Sequence, residues 1–412
     1  MSVERRKILI LGGNVAQVPL IKASKREGYY VVLVDYTTTN PGIVLVDKHY
    51  QVNFMDREKV LEIARKERVE GVISNSEAAM TVVAYVSEQL NLVGNTLESI
   101  LNVTSKIGFR ALQKRIGAYA PEHILTDSFE NALQMADHLT FPIVIKPSMS
   151  SGSRGTTPVM EKAQFEEYRA EWEACSQYSL DGKVVLEEYM QMLIPGETVE
   201  AEVFVCNGAY LWDGIFTNLR PLEALSVPMT DIFPPLITQA QICEVKETIQ
   251  HLFQSAGIVF GEYNVEMFYT TAGKLFCIEI NARQGGIGLP DMIGKYTGVD
   301  MHKLLITTVM GDNTYFEQLL REQRQGKYLI RHQVYSRKDG ELEQLYIAPS
   351  LQPYVTEIHF EVNPGEMVDA YQAPKDMIAW LDFEFENREQ QMEAARTLEE
   401  NVYPIIKNGY CE

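Results

Sequence analysis

The residues best suited to chemistry lie in one stretch, 261–286, GEYNVEMFYTTAGKLFCIEINARQGG. Its β-branched, aromatic and apolar runs at 263–269 and 274–280 predict two strands joined by a tight turn at Thr271, Ala272 and Gly273. Polar residues interrupt those runs at Glu266, Glu279 and Asn281. Glu279 and Asn281 are two apart, so an extended strand projects both from one face, and the hairpin can bring Glu266 opposite them. Two carboxylates and an amide oxygen form an oxygen-only donor set, which suits Mg²⁺, or Mn²⁺ in its place, rather than zinc. Buried without a cation, such carboxylates would repel one another at high cost. Arg283 follows at once, and a guanidinium can grip a phosphate through paired N–H···O bonds. The same residues equally fit a solvated hairpin face whose acids point to water, and the stretch alone does not separate the two readings.

The elements that must position this hairpin precede it. Residues 7–11 (KILIL), Gly12-Gly13-Asn14, a helical pattern through Arg26 and a strand at 30–34 form a βαβ opening. A dinucleotide fingerprint starting at Gly12 needs glycine where Asn14 and Gln17 stand, which argues against nicotinamide or flavin. A helix at 57–68, a strand at 69–74, a helix at 76–89 and a short strand at 92–94 continue the alternation. Glu77 falls at the carboxyl end of a parallel-type strand, where ligands bind, and also where a helix dipole favours an acid. A helix at 105–117 carries Lys106 and Arg110. A strand at 143–145 then ends in Lys146 and opens into the hydroxyl-rich loop 148–155, SMSSGSRG. Such a loop can fold over phosphates with free amides and the Ser148, Ser151 and Ser153 hydroxyls, although no GxxxxGK[ST] motif is present. A strand at 184–190 (VVLEEYM) leads through Pro195-Gly196-Glu197 to a hairpin turning at Asn207-Gly208. Residues 218–234 read as loop, a long helix runs from Pro235 to Ala256, and another spans 300–310. Beyond 312, short strands and an acidic helix at 386–402 suggest a small α+β unit.

At 412 residues the chain exceeds one ordinary core, and 46% hydrophobic with 23% charged residues is a globular composition. The N-terminus enters a strand directly, without a signal peptide, and no apolar run reaches membrane-spanning length. Five scattered cysteines, odd in number, fit a reducing cytoplasm. A net charge of −19 argues against nucleic acid or an anionic membrane as partner.

Read together, Lys106, Lys146 with its Ser/Gly loop, 187–190 (EEYM), Glu197, Glu266 and Glu279–Arg283 (EINAR) resemble the ATP-grasp superfamily. The resemblance covers roughly residues 3–311. It implies a mixed α/β and α+β fold with an N-terminal Rossmann-like preATP-grasp domain (1–95). An ATP-grasp domain (96–311) would follow, with a mobile lid at about 118–190, and then a C-terminal α+β cap (312–412). By resemblance, Lys106 and Lys146 grip the ATP phosphates, and Ser148 to Gly155, with Gly152 among them, close over them. Glu187, Glu188, Tyr189 and Met190 read the adenine edge, and Glu197 holds the ribose. Glu266, Glu279 and Asn281 ligate Mg²⁺, and Arg283 steadies the transferred phosphoryl group. The implied reaction activates a small carboxylate as an acyl phosphate and couples it to an amine. Phosphoribosylamine–glycine ligase-like and carbamoyl phosphate synthetase-like enzymes share the layout. An ATP-binding sensor without turnover is the alternative of a different class. Substrate contacts are expected from Asn14, Glu77, Gly285 and Gly286, and a homodimer is an expectation of the resemblance.

Overall fold

The computed structural model describes residues 5–149, 155–179 and 181–407. Its first unit is a parallel sheet in the order β3-β2-β1-β4, from β1 (Lys7–Leu11), β2 (Tyr30–Asp35), β3 (Lys48–Gln51) and β4 (Gly71–Ile73). β1 and β2 are apolar along their length because helices cover both faces of a parallel sheet. Those helices are α1 (Val18–Arg26), α2 (Arg57–Glu67) and α3 (Met80–Leu90). The strand expected at 92–94 is absent; the chain bends there. The fourth strand is β3, whose half-exposed KHYQ lacks the apolar run that announces a strand.

After α4 (Leu97–Thr104) and α5 (Lys106–Arg115) comes a four-stranded antiparallel sheet, ordered β5-β8-β6-β7. It contains β5 (His123–Thr126), β6 (Ile143–Pro147), β7 (Thr157–Val159) and β8 (Val184–Glu188). α6 (Phe129–Met135) and α7 (Arg169–Tyr178) pack on one face around Phe129, Phe165 and Trp172. This is the segment expected to form the lid.

The centre of the molecule is an antiparallel sheet of eight strands, β13-β12-β9-β10-β11-β14-β18-β16. Its strands are β9 (Glu197–Cys206), β10 (Ala209–Leu219), β11 (Thr230–Phe233), β12 (Phe260–Tyr269), β13 (Leu275–Asn281), β14 (Tyr328–Val334), β16 (Val355–Phe360) and β18 (Ala379–Phe385). The β9–β10 turn uses Asn207 and Gly208 with φ of 49° and 81°, both left-handed, which matches the strand twist. β11 lies inside the segment expected to be loop. The long helix α8 (Gln239–Ala256) starts after Thr238 rather than at Pro235, because Thr238 and Gln241 form a reciprocal capping box. α4, α5 and α8 cover one face of the sheet through Val203, Val265, Ile249 and Phe253. α9 (Leu289–Thr297) and α10 (Met301–Val309) cover part of the other face, joining Phe204 and Phe216 to the core of the first unit. After α11 (Thr314–Arg321), residues 328–385 add three strands to the central sheet. β15 (Gly340–Ile347), β17 (Met367–Val368) and β19 (Val402–Lys407) form a small separate sheet beside α12 (Arg388–Asn401).

Candidate active site

One face of the central sheet carries acids where apolar residues would be cheapest. β9 and β12 pair so that Glu200 lies opposite Glu266 and Glu202 opposite Asn264. β13 continues the rows, with Glu279 opposite Glu266 and Asn281 opposite Asn264. A row Glu279–Glu266–Glu200 thus crosses three strands, and a second row Asn281–Asn264–Glu202 runs beside it. The expected hairpin forms, and its three expected metal donors share one face. The Asn281 amide nitrogen donates to Glu266 Oε1 (3.4 Å) and Asn264 Oδ1 (3.3 Å).

Cations answer these charges only in part. Arg220, at the end of β10, bridges Glu200 Oε1 and Glu266 Oε2 through one nitrogen at 2.8 Å each. Its Nε donates to Asn218 Oδ1 (2.9 Å), and Asn218 in turn donates to Asp231 (2.7 Å). Burial, then the Glu266 charge, pushes Glu279 up to about 7, with Lys106 and Arg283 pulling against them. Glu200 is likewise held at about 7 by burial and Glu266, despite Arg220. Glu77 is raised by burial and feels Arg283, Lys106 and Glu266, so it belongs to the same cluster. Glu279 and Glu200, raised by burial and by the Glu266 charge between them, are what a hard cation would relieve, and the Glu266–Glu279–Asn281 oxygen set suits Mg²⁺.

The lid side is built differently. Glu187 on β8 accepts Arg110 Nε (2.8 Å) and Nη2 (3.2 Å) and Lys146 Nζ (2.5 Å). Burial alone would raise this carboxyl, yet the Arg110 and Lys146 charges hold it at about 2. Lys146 is pushed below its ordinary value by burial. Arg110 also reaches the Cys277 carbonyl on β13 (3.3 Å), tying α5, lid and hairpin together.

The other expected residues are placed as follows. The Glu188 and Tyr189 backbone N–H groups bond to Glu122 O (3.1 Å) and Pro142 O (2.9 Å), and Glu188 Oε1 accepts from Thr140 N (2.9 Å). Met190 follows, where the chain leaves the lid sheet. Glu197 begins β9, half-buried and raised by burial, at alternate parity to Glu200 and Glu202. The Ser148 hydroxyl bonds to Asp181 (2.5 Å) and Ser179 (3.2 Å). Ser151, Gly152 and Ser153 lie outside the described residues. Asn14 is exposed and caps the turn at Ala16 (3.2 Å). Gly285 donates its N–H to Glu202 (2.6 Å), whereas the Gly286 carbonyl accepts from Leu289 (3.0 Å).

The sequence reading missed Glu200, Glu202 and Glu262, and reached Arg220 and Gln284 only as members of the 218–234 and 284–288 segments expected to shape substrate specificity. Period-2 spacing in ETVEAEVF places Glu200 and Glu202 together and would have found them. Gln284 bridges three elements: it donates to Glu262 (2.8 Å), accepts from Asn75 (3.0 Å) and meets His302 Nδ1 (3.0 Å). The following loop is strained at Ile287, a β-branched residue with φ +53°. Buried Arg331 holds it, donating to the Ile287 (2.6 Å) and Gly288 (2.9 Å) carbonyls while pairing in bidentate fashion with Asp382.

Comparison with known proteins shows what this arrangement resembles. Residues 139–291 match the ATP-grasp domain model. The carbamoyl phosphate synthase large chain of Thermotoga sp. (strain RQ2) is 25% identical over 331 residues, 75% of this chain and 29% of the relative. The chain thus spans under a third of the length of the curated relatives it matches. Among solved structures, L-amino acid ligase from Bacillus licheniformis aligns over 98% of this chain and 100% of its own, with a TM-score of 0.76 and 18% identity. The biotin carboxylase domain dimer of Hydrogenobacter thermophilus 2-oxoglutarate carboxylase, in complex with MgADP, ADP and bicarbonate, aligns over 98% of this chain and 91% of its own, with a TM-score of 0.71 and 18% identity. The acid-bearing strands β9, β12 and β13 and the strand β6 that carries Lys146 fall within the stretch that matches the ATP-grasp domain model, and the chain has the ATP-grasp fold.

Proposed function

We propose that this protein is an ATP- and Mg²⁺-dependent ligase that activates a small carboxylate and joins it to an amine. The observation that carries the reading is the partly buried row Glu279–Glu266, with Asn281 and Arg283 beside it, within the electrostatic reach of Lys106. In this reading Glu266, Glu279 and Asn281 hold Mg²⁺, which neutralises charge on the ATP phosphates. Lys106 and Lys146 bind those phosphates from opposite sides. Lys146 is preset for this by Glu187, which fixes its ammonium before any ligand arrives. Met190 and its neighbours take the adenine, and Glu197 the ribose.

A carboxylate oxygen of the substrate attacks the γ-phosphorus, the bond to the ADP oxygen breaks, and an acyl phosphate results. The amine nitrogen then attacks the acyl carbon, and phosphate leaves with the C–O electron pair. Arg283 offers its guanidinium to the charge that accumulates on the phosphoryl group. Nothing in this scheme needs a protein nucleophile, so positioning and charge neutralisation supply most of the rate. Glu77 and the Gln284–Gly288 loop border the carboxylate, and Arg331 fixes that loop. The likeness to carbamoyl phosphate synthase supports a second reading, in which the carboxylate is bicarbonate and the amine is ammonia. A homodimer like that of the biotin carboxylase domain belongs to the same proposal.

The test is a phosphate-release screen of amino acids, singly and in pairs, and of bicarbonate with ammonium, each with ATP and Mg²⁺. One pair giving ADP, phosphate and an amide product is expected. ATP binding without ADP release from any pair would favour the sensor instead.

A further inference from the structure

Gln284 follows Arg283 directly and is 1% exposed, enclosed by three elements of the fold. Its Nε2 donates to Glu262 Oε2 on β12 (2.8 Å). Its Oε1 accepts from Asn75 Nδ2 just after β4 (3.0 Å) and lies 3.0 Å from His302 Nδ1 on α10. The Ala16 carbonyl fixes the direction of these bonds. It can only accept, so the Asn75 nitrogen 3.2 Å away faces it, and that nitrogen also donates to the Gln284 oxygen. The Gln284 nitrogen is then left for Glu262, and His302 must carry a hydrogen on Nδ1. Burial, then the Glu202 charge, push the Glu262 carboxyl well above its ordinary range. Glu262 keeps a proton that it donates to Glu202, while its Oε2 accepts from Gln284.

This amide pins the segment that carries the arginine. Residues 283–285 lie beyond Asn281, the last residue of β13. Arg283 Nη1 donates to the Gln284 carbonyl (2.9 Å), its backbone N–H to the Asn281 carbonyl (2.8 Å), and the Gly285 N–H to Glu202 (2.6 Å). At the other end, the Asn75 N–H donates to Gln17 Oε1 (2.9 Å), and Asn14 caps Ala16 (3.2 Å). Two side-chain amides thus join the turn after β1 to the base of Arg283. An apolar side chain of the same length would fill the space, whereas a buried amide is costly unless each of its bonds is made.

We propose that Asn75, Gln284 and His302 are positioning residues that set Arg283 for the γ-phosphoryl group of ATP. They act through the backbone of Arg283 and touch no reacting atom. That Arg283 meets this group rests on the ligase reading; the clamp rests on the contacts above.

The first arm of the test reads binding without turnover, on the full chain. Calorimetry compares the affinity for MgADP with that for MgADP plus beryllium fluoride, which takes the place of the γ-phosphoryl group. Fluoride should tighten binding in the wild type, and Arg283→Ala should lose that gain. Gln284→Met, Asn75→Ala and His302→Phe should each lose about tenfold of it at unchanged MgADP affinity. His302→Asn, which offers an N–H near the position of Nδ1, should keep most of it. The double variant Gln284→Met/His302→Phe should lose no more than Gln284→Met alone, since both act through one amide. Additive losses, a His302→Asn no better than His302→Phe, or an undiminished gain in the single variants would overturn the proposal. So would a wild type, or a wild-type-like Arg283→Ala, whose affinity the fluoride does not distinguish. A variant that fails to fold leaves the others to decide. In the second arm, with the pair found by the phosphate-release screen, the same variants should lower kcat for ADP release by a similar factor at unchanged KM for ATP. If no pair releases ADP, the ligase reading fails while the fluoride arm still decides the clamp.

Discussion

Glu187 on β8 is buried and Glu279 on the central sheet is partly buried, yet their carboxyls are held at about 2 and about 7. Burial acts on both in the same direction. The difference lies in the neighbours: Glu187 meets Arg110 and Lys146, whereas Glu279 meets Glu266. The half around Glu187 is electrostatically closed by Arg110 and Lys146. The sheet half concentrates Glu200, Glu202, Glu262, Glu266 and Glu279 on one face, with Arg220 as a bridging cation. A closed triad suits a part that must arrive preformed, and an open acid row suits a part completed by ligands. The comparison also separates stability from function, because the closed half should govern the first and the open half the second.

That division can be broken from either side. The largest effect should come from Arg283→Ala or Glu279→Ala, each lowering kcat for ADP release by about a thousandfold while the unfolding midpoint changes little. Arg110→Leu should do the opposite. Removing one cation from the Glu187 triad should cost about 3 kcal/mol of stability in urea unfolding, because a buried carboxylate loses half its compensation. Mg²⁺ with ADP should stabilise the wild type by about 2–3 kcal/mol at a hundredfold excess over Kd, and Glu279→Gln should lose most of that gain.

The two halves should also respond to pH with opposite sign. Glu187 is depressed in the folded chain, so its contribution is present above the unfolded value of 4.5 and is lost as pH falls toward 2. Glu200 is raised to about 7 in the folded chain. The unfolded chain therefore releases that proton first, and stability falls as pH rises from 4.5 toward 7. Urea unfolding across pH 2–8 should show the acid-side loss vanish in Glu187→Gln and the neutral-side loss diminish in Glu200→Gln. The same sign of slope for both would contradict the division.

Much of the sheet half was legible in the sequence because strand parity is a local rule. Glu279 and Asn281, two apart in an apolar run, had to share a face, and Gly273 announced the turn. The same rule applied to ETVEAEVF would have placed Glu200 and Glu202 beside them. The βαβ opening was equally plain from KILIL and YVVLV, whereas the edge strand KHYQ had no apolar run to betray it. The Thr238–Gln241 capping box outweighed Pro235 as a helix start, and both signals were present in the sequence. The lid triad was not legible. Arg110 sits at an ordinary helical position and is buried only because Glu187, 77 residues later, folds back to meet it. Likewise nothing local distinguishes Arg331, whose part is to hold a strained loop more than 40 residues upstream. Pairings set by the chain's return path leave no periodic signal, and those pairings form most of the charge compensation in this cleft.

The central claim is that a substrate carboxylate, not water, takes the γ-phosphoryl group. It is tested most directly by supplying the carboxylate labelled with oxygen-18 and analysing the released phosphate by mass spectrometry. The account predicts one labelled oxygen transferred to phosphate for each amide formed, with no transfer when the amine or ATP is omitted. Phosphate free of the label while amide accumulates would contradict it.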